Sequence, residues 1–353
     1  MRKTELQINL KSIKDNLNQI KNYTSAKIQA VVKAGAYGLS LNEVYNAISY
    51  DVESFAVITL KEAKALRKIT DKPILLFQGV HETKDYSDVE DLNLDFVIHS
   101  PWQFDGIEKF NLSNSRIWLK IETGMNRFGL HEQDFLKIYK SLNKEKFAEV
   151  ILMSHLACSG DKNNESNQNQ IENFKRITHN MPERKSLGNS GAIFNFPDAH
   201  FDIVRPGIAL YGGKYLEFGI KPTTKLRSKI ISIKDIKKGA SVGYDMAWTA
   251  EKDTKIGIIG IGYGDGFPYV HNPLNVLINN KTFQTVGRIN MDAITIDLDG
   301  DESIKIGDWV ELWGFNTDLT SFSSEFESTS YHLLTNISGR VCLLYTSPSP
   351  RDA

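Results

Sequence analysis

Residues 26–77, AKIQAVVKAGAYGLSLNEVYNAISYDVESFAVITLKEAKALRKITDKPILLF, decide the fold. Three short apolar runs, AKIQAVVK, SFAVIT and KPILLF, are separated by LNEVYNAIS and LKEAKALRKI, whose apolar residues recur at about a 3.6-residue period. Strand, amphipathic helix, strand is the βαβ unit, which makes its strands parallel and lays helices over the sheet. The rhythm extends outward from about residue 11 to 215, adding the strand candidates LDFVIHS, RIWLKIE, EVILMSH, ERKSLGN and FDIVRPGIAL and the helical stretches EQDFLKIYKSL and QNQIENFKRITHN. Eight such strands predict an α/β fold, a (β/α)8 TIM-type barrel over residues 10–218, with its chemistry at the C-terminal ends of the strands. After Pro222 the texture changes to β-branched runs broken by Gly, Asn and Asp, among them KIGIIGIGYGDG, DAITIDLDG and GDWVELWG. These predict a mostly-β C-terminal domain over 219–341. TELQINL alternates like a strand, and residues 1–9 are expected to join that second domain.

At 353 residues the chain exceeds what one core usually organises, which agrees with two domains. It carries 42 basic and 43 acidic residues, a net charge of -1, and neither sign forms a block suited to nucleic acid or an anionic membrane. No stretch approaches the roughly 18 apolar residues of a membrane span, and the N-terminus lacks an apolar leader run. Two cysteines, Cys158 and Cys342, exclude a disulfide framework. The expected location is the cytoplasm. The last stretch, CLLYTSPSPRDA, has the composition of a translated sequencing adapter, so residues 342–353 are expected to be a non-native tail that replaces the natural C-terminus.

Lys33 closes the apolar run AVV and is followed by small residues, so its amine is expected at the mouth of the barrel. Burial there lowers an amine's pKa and makes it nucleophilic toward carbonyls. No His, Cys, Asp or Glu cluster has metal-ligand spacing, so no metal is expected. GIGYGDG lies between β runs and opens no helix, which argues against a dinucleotide fingerprint.

VVKAGAYG resembles the cofactor-binding signature of the alanine racemase family. The likeness continues in the family's order through SFAVITLKEAKALR, LKIETGMNRFG, SHLACSGD, LGNSGAIF, IVRPGIALYG, SVGYDMAWTA, GIGYGDGFP and VGRINMDAITIDL. The resemblance implies a pyridoxal 5'-phosphate enzyme in which Lys33 carries the cofactor as a Schiff base and serves as one of two acid/base groups at the substrate's α-carbon. Tyr244 matches the second group, acting on the opposite face from a partner subunit, which implies a homodimer with composite active sites. Arg205 matches the donor to the cofactor's pyridine nitrogen, and His155 the side chain beside the ring. Tyr37, Ser190, Gly207 and Ile208 match the phosphate contacts, with Asn189 supporting Arg205. Arg127 and the Met291 amide match the substrate-carboxylate contacts, with Asp292 behind Met291. Lys120 lies where many members carry a carbamylated lysine, and Tyr263 and Arg288 match residues of the substrate corridor.

Four positions depart from the family pattern. Asp245 stands where glycine follows the catalytic tyrosine, Tyr269 where an arginine is frequent, Asn290 where a small residue precedes Met291, and Gly339 where a phosphate-contacting tyrosine is expected. The reading is an amino-acid racemase interconverting L- and D-alanine and supplying D-alanine for peptidoglycan. Alternatives are a serine or broad-specificity racemase, a decarboxylase of the same architecture, which would place an acid where Arg205 stands, and a non-catalytic cofactor carrier, which would not need Tyr244.

Overall fold

The computed structural model describes residues 3–271, 273–314, 319–325 and 328–346. The chain divides into two compact units, one of residues 16–210 and one combining 1–15 with 211–353; the sequence reading set the change of domain at 218. Up to residue 210 the elements are β1 (Thr4–Asn9), α1 (Leu10–Tyr23), β2 (Lys27–Val31), a tight turn α2 (Lys33–Tyr37), α3 (Leu41–Ile48), β3 (Ser54–Val57), α4 (Leu60–Arg67), β4 (Ile74–Leu76), α5 (Tyr86–Asp91), β5 (Asp95–Ile98), β6 (Arg116–Lys120), α6 (Glu132–Ser141), β7 (Glu149–Met153), α7 (Ser166–Ile177), β8 (Arg184–Ser186), α8 (Ser190–Asn195) and β9 (Ile203–Val204).

Strands β2 to β9 form one parallel sheet in the order β8-β7-β6-β5-β4-β3-β2-β9. The ends of that order meet: the Asp202 N–H donates to the Lys185 carbonyl at 3.1 Å, and Asn189 and Arg205 form a parallel bridge. The eight apolar runs are therefore the eight staves of a barrel. Strands β3 to β6 are buried at every position, which is why they read as continuous apolar runs and not as alternating ones. Ala56, Leu75, Val97, Trp118, Ile151, Met153 and Ile203, drawn from six of the strands, pack into one cluster.

Polarity separates the two ends of this barrel. At the strand N-termini, Arg116 meets Asp95 at 2.7 Å and Glu53 at 3.1 Å, while Arg184 meets Glu53 at 3.1 Å and Glu149 at 3.6 Å. These charges are matched among themselves, as expected at the end of a barrel that serves stability. Those barrel residues singled out for chemistry, among them Lys33, Lys120, His155, Ser190 and Arg205, lie at the other end, at or just past the strand C-termini.

The remaining unit contains β10 (Thr224–Ile236), β11 (Ser241–Val242), β12 (Trp248–Thr249), β13 (Thr254–Ile259), β14 (Asn275–Ile278), β15 (Lys281–Val286), β16 (Ile294–Asp297), β17 (Trp309–Trp313), α9 (Leu319–Ser324), α10 (Ser330–Thr335) and β18 (Cys342–Thr346). Strands β13-β16-β15-β14-β17-β10 are neighbours in that order, and β10 also pairs with β13, so the six close a ring. β10 spans 13 residues and reaches both partners through a register shift between Ile230 and Ser232. β1 pairs antiparallel with β10, and β18 runs parallel to β1. The residues 342–346 that composition set aside thus form an outer strand; residues 347–353 lie outside the described residues.

Trp118 is fully buried in the barrel cluster. Trp118→Ala is expected to lower unfolding stability by about 3–5 kcal/mol, the usual cost of deleting a buried large aromatic, as measured by urea denaturation followed by circular dichroism.

Candidate active site

The chain leaves β2 at Val31 and enters a turn of unusual hand. Ala34, Gly35, Ala36 and Tyr37 all have positive φ, of 52°, 61°, 57° and 58°. A left-handed conformation costs a residue with a Cβ about 1–2 kcal/mol, and only one of these four is glycine. Backbone hydrogen bonds from Ala36 N–H to Val32 O (2.9 Å) and from Gly38 N–H to Ala34 O (2.8 Å) hold the turn, and Ala34 N–H donates to the Glu62 carboxylate at 2.6 Å. Lys33 stands at its head. Burial, then the charge of Arg127, lowers its amine pKa from the usual lysine value, while Glu62 opposes both.

Arg205, just past β9, is 3% exposed. Its guanidinium donates to the carbonyls of Ser154 (2.6 Å) and Leu187 (3.2 Å), to the Ser186 hydroxyl, and to His155 Nδ1 at 3.4 Å. Burial pushes its pKa down to about 9, so the group still carries its proton at neutral pH. His155, two residues past β7, is held neutral: burial and the charges of Arg205, Lys120, Arg127 and Lys33 all push its pKa well down.

Lys120, the last residue of β6, is also buried, with Nζ 5.6 Å from the centre of the Phe128 ring. Burial, followed by the charges of Arg205 and Arg127, brings its pKa to about 7. Near neutral pH the Lys120 amine is thus divided between its charged and neutral forms. Arg127, on the loop after β6, is exposed. The mouth of the barrel therefore collects Lys33, Lys120, Arg127 and Arg205 around a neutral imidazole, an arrangement suited to anionic ligands.

Beside these cations lies a close-fitting polar cradle. Ser190 Oγ accepts from the Gly207 N–H at 2.9 Å and from the Ala209 N–H at 3.4 Å. A Cβ on Gly207 would lie 2.4 Å from the Tyr37 hydroxyl, so glycine alone lets Tyr37, Ser190 and the backbone at Gly207 and Ile208 converge. Asn189, and not Ser190, caps α8: its Oδ1 accepts from Ala192 N–H (3.1 Å) and from the Ser159 hydroxyl (2.6 Å). Its amide nitrogen lies 3.4 Å from His155 Nε2. Hydroxyls, backbone N–H groups and a nearby amine of lowered pKa make a donor set that fits a phosphorylated aldehyde such as pyridoxal phosphate.

The other predicted residues cluster within the β unit. Tyr244 follows β11, is 71% exposed, and lines a depression with Gly243, Asn290, Met291, Asp292 and Ala293. Asp245 adopts φ 55° and pairs with Arg288 at 2.8 Å. The loop carrying Tyr263 meets the loop carrying Met291 through backbone bonds, Tyr263 N–H to Asn290 O (3.1 Å) and Gly264 N–H to Met291 O (2.9 Å). Arg340 clamps the same loops, reaching Asp292 at 2.5 Å and the buried Asp265 at 3.2 Å. Tyr263 and Tyr269 meet edge to face at 5.7 Å. A Cβ on Gly339 would meet nothing within 4 Å.

Residues 8–215 match the family model described as alanine racemase, N-terminal domain, and residues 223–345 match that described as alanine racemase, C-terminal domain. The chain belongs to the alanine racemase family. The alanine racemase of Vesicomyosocius okutanii is 40% identical over 350 residues, covering 97% of this chain and 99% of that protein. The alanine racemase of Haemophilus influenzae is 36% identical, covering 95% and 96%. Among solved structures, the biosynthetic alanine racemase of Pseudomonas aeruginosa superposes with a TM-score of 0.94 at 32% identity, covering 98% of this chain and all of the other. That of Bartonella henselae, described as having covalently bound pyridoxal phosphate, gives 0.90 at 29% identity, covering 98% and 99%.

Sequence reasoning passed over four contributors to the racemase mouth: Glu62, Ser154, Ser159 and Ser186. Only Glu62 left a local signal, the Thr59-x-x-Glu62 capping box inside SFAVITLKEAKALR. The serines act through single hydrogen bonds to Arg205 and Asn189 that no spacing rule encodes.

The lowered pKa of Lys120 has a consequence for stability. Between pH 7 and the value of an unfolded lysine, about 10.4, the unfolded chain binds a proton that the native state does not, so native stability rises with pH across that window. Lys120→Met removes the penalty. In CO2-free buffer its urea midpoint is expected to gain on the wild type as pH falls from 10 toward 7 and to hold that gain below; parallel curves would contradict the assignment.

Proposed function

We propose that the protein is a pyridoxal-phosphate-dependent alanine racemase that interconverts L- and D-alanine and supplies D-alanine for peptidoglycan. The observation that carries this is Lys33, an amine of lowered pKa standing beside the Tyr37–Ser190–Gly207 cradle and the buried Arg205, in a chain of this family. Bound pyridoxal phosphate supplies an electron-accepting ring that makes the α-proton of an attached amino acid acidic. Lys33 would hold the cofactor and, when released from it, exchange a proton at the α-carbon on one face. Tyr37, Ser190 and the N–H groups of Gly207 and Ile208 would hold the phosphate, with Asn189 fixing the local backbone.

Arg205 would donate to the pyridine nitrogen. Its guanidinium keeps its own proton at neutral pH, so the nitrogen receives a hydrogen bond and not a full proton. The ring is then a weaker electron sink. That favours returning a proton to the α-carbon over transamination or decarboxylation, and it weighs against the decarboxylase reading. His155, kept neutral, accepts from Arg205 without adding positive charge next to the ring.

Arg127 would grip the substrate carboxylate with a bidentate fork. Lys120, with a pKa near 7, offers a neutral amine whose nitrogen can attack CO2, forming a carbamate and releasing a proton. The resulting anion would steady Arg127. On the opposite face of the α-carbon, Tyr244 of a second subunit would serve as the other acid/base group, with the Met291 amide, Asp292, Tyr263 and Arg288 lining the approach. This makes the working form a homodimer. We place it in the cytoplasm, in keeping with its unpaired Cys158 and Cys342 and, among the described residues, the absence of any helix long and apolar enough to cross a membrane.

Lys33→Ala is expected to abolish both the visible absorbance of the cofactor-bound protein and racemisation; a wild type that stays colourless with added pyridoxal phosphate would overturn the reading. Tyr244→Phe is expected to retain the cofactor and lose on the order of 10²–10⁴-fold in turnover from one enantiomer, the usual worth of a positioned acid/base group. Solvent-deuterium exchange at the α-carbon of L- and D-alanine, with serine alongside, reads this directly. Normal rates in both directions would remove Tyr244 from the mechanism, and faster exchange with serine would displace alanine as the substrate.

A further inference from the structure

Glu62 binds with both oxygens, in two different directions. It is the third residue of α4, and its Oε2 accepts from the N–H groups of Ile58 (3.0 Å) and Thr59 (2.9 Å) and from the Thr59 hydroxyl (3.1 Å). With Thr59 Oγ1 accepting from the Glu62 N–H at 3.2 Å, this completes a capping box. A helix cap needs nothing more. Yet Oε1 reaches out of the α4 region altogether and accepts from the Ala34 N–H at 2.6 Å, across to the turn after β2.

Ala34 is the residue directly after Lys33 and the first of the left-handed run. Its φ of 52° and those of Ala36 and Tyr37 are each unfavourable for a residue with a Cβ, so this backbone persists only where its surroundings enforce it. The two internal bonds of the turn use the N–H groups of Ala36 and Gly38. Glu62 supplies the tie at the end of the turn where the lysine stands. It also brings charge. The charged and titratable groups acting on or responding to Lys33 are Arg127, Lys120, His155 and Glu62, and Glu62 is the anion among them.

We infer that Glu62 is a positioning residue for Lys33: its carboxylate pins the left-handed turn from which the lysine projects and places a counter-charge beside the amine. Burial and Arg127 both lower the amine's pKa and Glu62 opposes them, so the carboxylate keeps more of the amine in its protonated form. Glu62 restrains that drift and fixes the direction of the side chain at once. The inference rests on the reading of Lys33 given above.

The test titrates Lys33 without using the cofactor. Competitive acetylation of the full chain freed of cofactor, read across pH by mass spectrometry on the Lys33 peptide, reports the fraction of neutral amine. Glu62→Gln is expected to move the Lys33 midpoint to lower pH, and Glu62→Asp, which keeps the charge, to stay nearer the wild type. Leu66→Val loosens the buried face of α4 without touching Glu62, and it is expected to lower thermal stability while leaving the midpoint in place. In the holoenzyme, Glu62→Gln is expected to lose on the order of tenfold in kcat with little change in KM, as for a misplaced but intact reacting group. If Glu62→Gln and Leu66→Val both lose thermal stability and neither shifts the midpoint, Glu62 is only a helix cap and the inference falls. The cofactor reading stands or falls separately, on whether the wild type gains visible absorbance with pyridoxal phosphate.

Discussion

Like charge confined at the open end of a barrel is the constraint on which the site depends. Lys33, Lys120, Arg127 and Arg205 gather there, with Lys120 and Arg205 buried, Lys33 partly buried and Arg127 exposed. Such a group of cations is stable only if each one is hydrogen-bonded, neutralised or opposed. Arg205 takes the first route, giving its protons to carbonyls, a hydroxyl and an imidazole. Lys120 takes the second, its pKa falling to about 7, and His155 remains unprotonated for the same reason. Lys33 takes the third through Glu62. Each accommodation leaves a property that proton transfer needs: an amine able to react, an imidazole that accepts, a guanidinium that donates without letting go. The excess of positive charge is what a phosphate and a carboxylate would balance.

The fold was legible because barrel strands are buried on both faces. Runs such as SFAVIT and RIWLKIE have no alternation to misread, and the helices between them carry a clear period. The C-terminal unit was legible for the opposite reason, its short β-branched runs being punctuated by glycine and asparagine. The site was legible only where a motif carried it. Ala34, Ala36 and Tyr37 have no propensity for left-handed backbone, so the turn under Lys33 could not have been read from composition. The same holds for the two-way grip of Glu62, since the spacing Thr-x-x-Glu announces one partner and is silent about the other.

The C-terminal stretch shows a different limit. CLLYTSPSPRDA has the composition of an adapter, yet its first five residues pair in parallel with β1. A ladder on an exposed edge is made by backbone groups and asks little of side-chain identity, so pairing there does not discriminate between a native and a foreign sequence. The residue that does discriminate sits just upstream. Arg340 reaches the buried Asp265 and the exposed Asp292 and so ties the Tyr263 loop to the Met291 loop, whose backbones touch because a Cβ on Gly262 would fall 2.1 Å from the Asn290 carbonyl. Arg340 thus ties these loops together from a position that precedes the adapter-like stretch.

Within that frame the departures from the family pattern do not act alike. Asp245 spends its charge on Arg288, which becomes half of an exposed ion pair, and pairs of that kind contribute little to stability. Its effect falls on the field near Tyr244, where one positive charge is offset. Gly339 acts by volume, leaving space where the family places an aromatic ring, and Asn290 adds a polar amide beside Met291. The first change alters the charge beside Tyr244, and the other two alter volume and polarity elsewhere in the same unit. Charge and volume in this unit are therefore set by different residues: Asp245 and Arg288 fix the first, Gly339 and Asn290 the second.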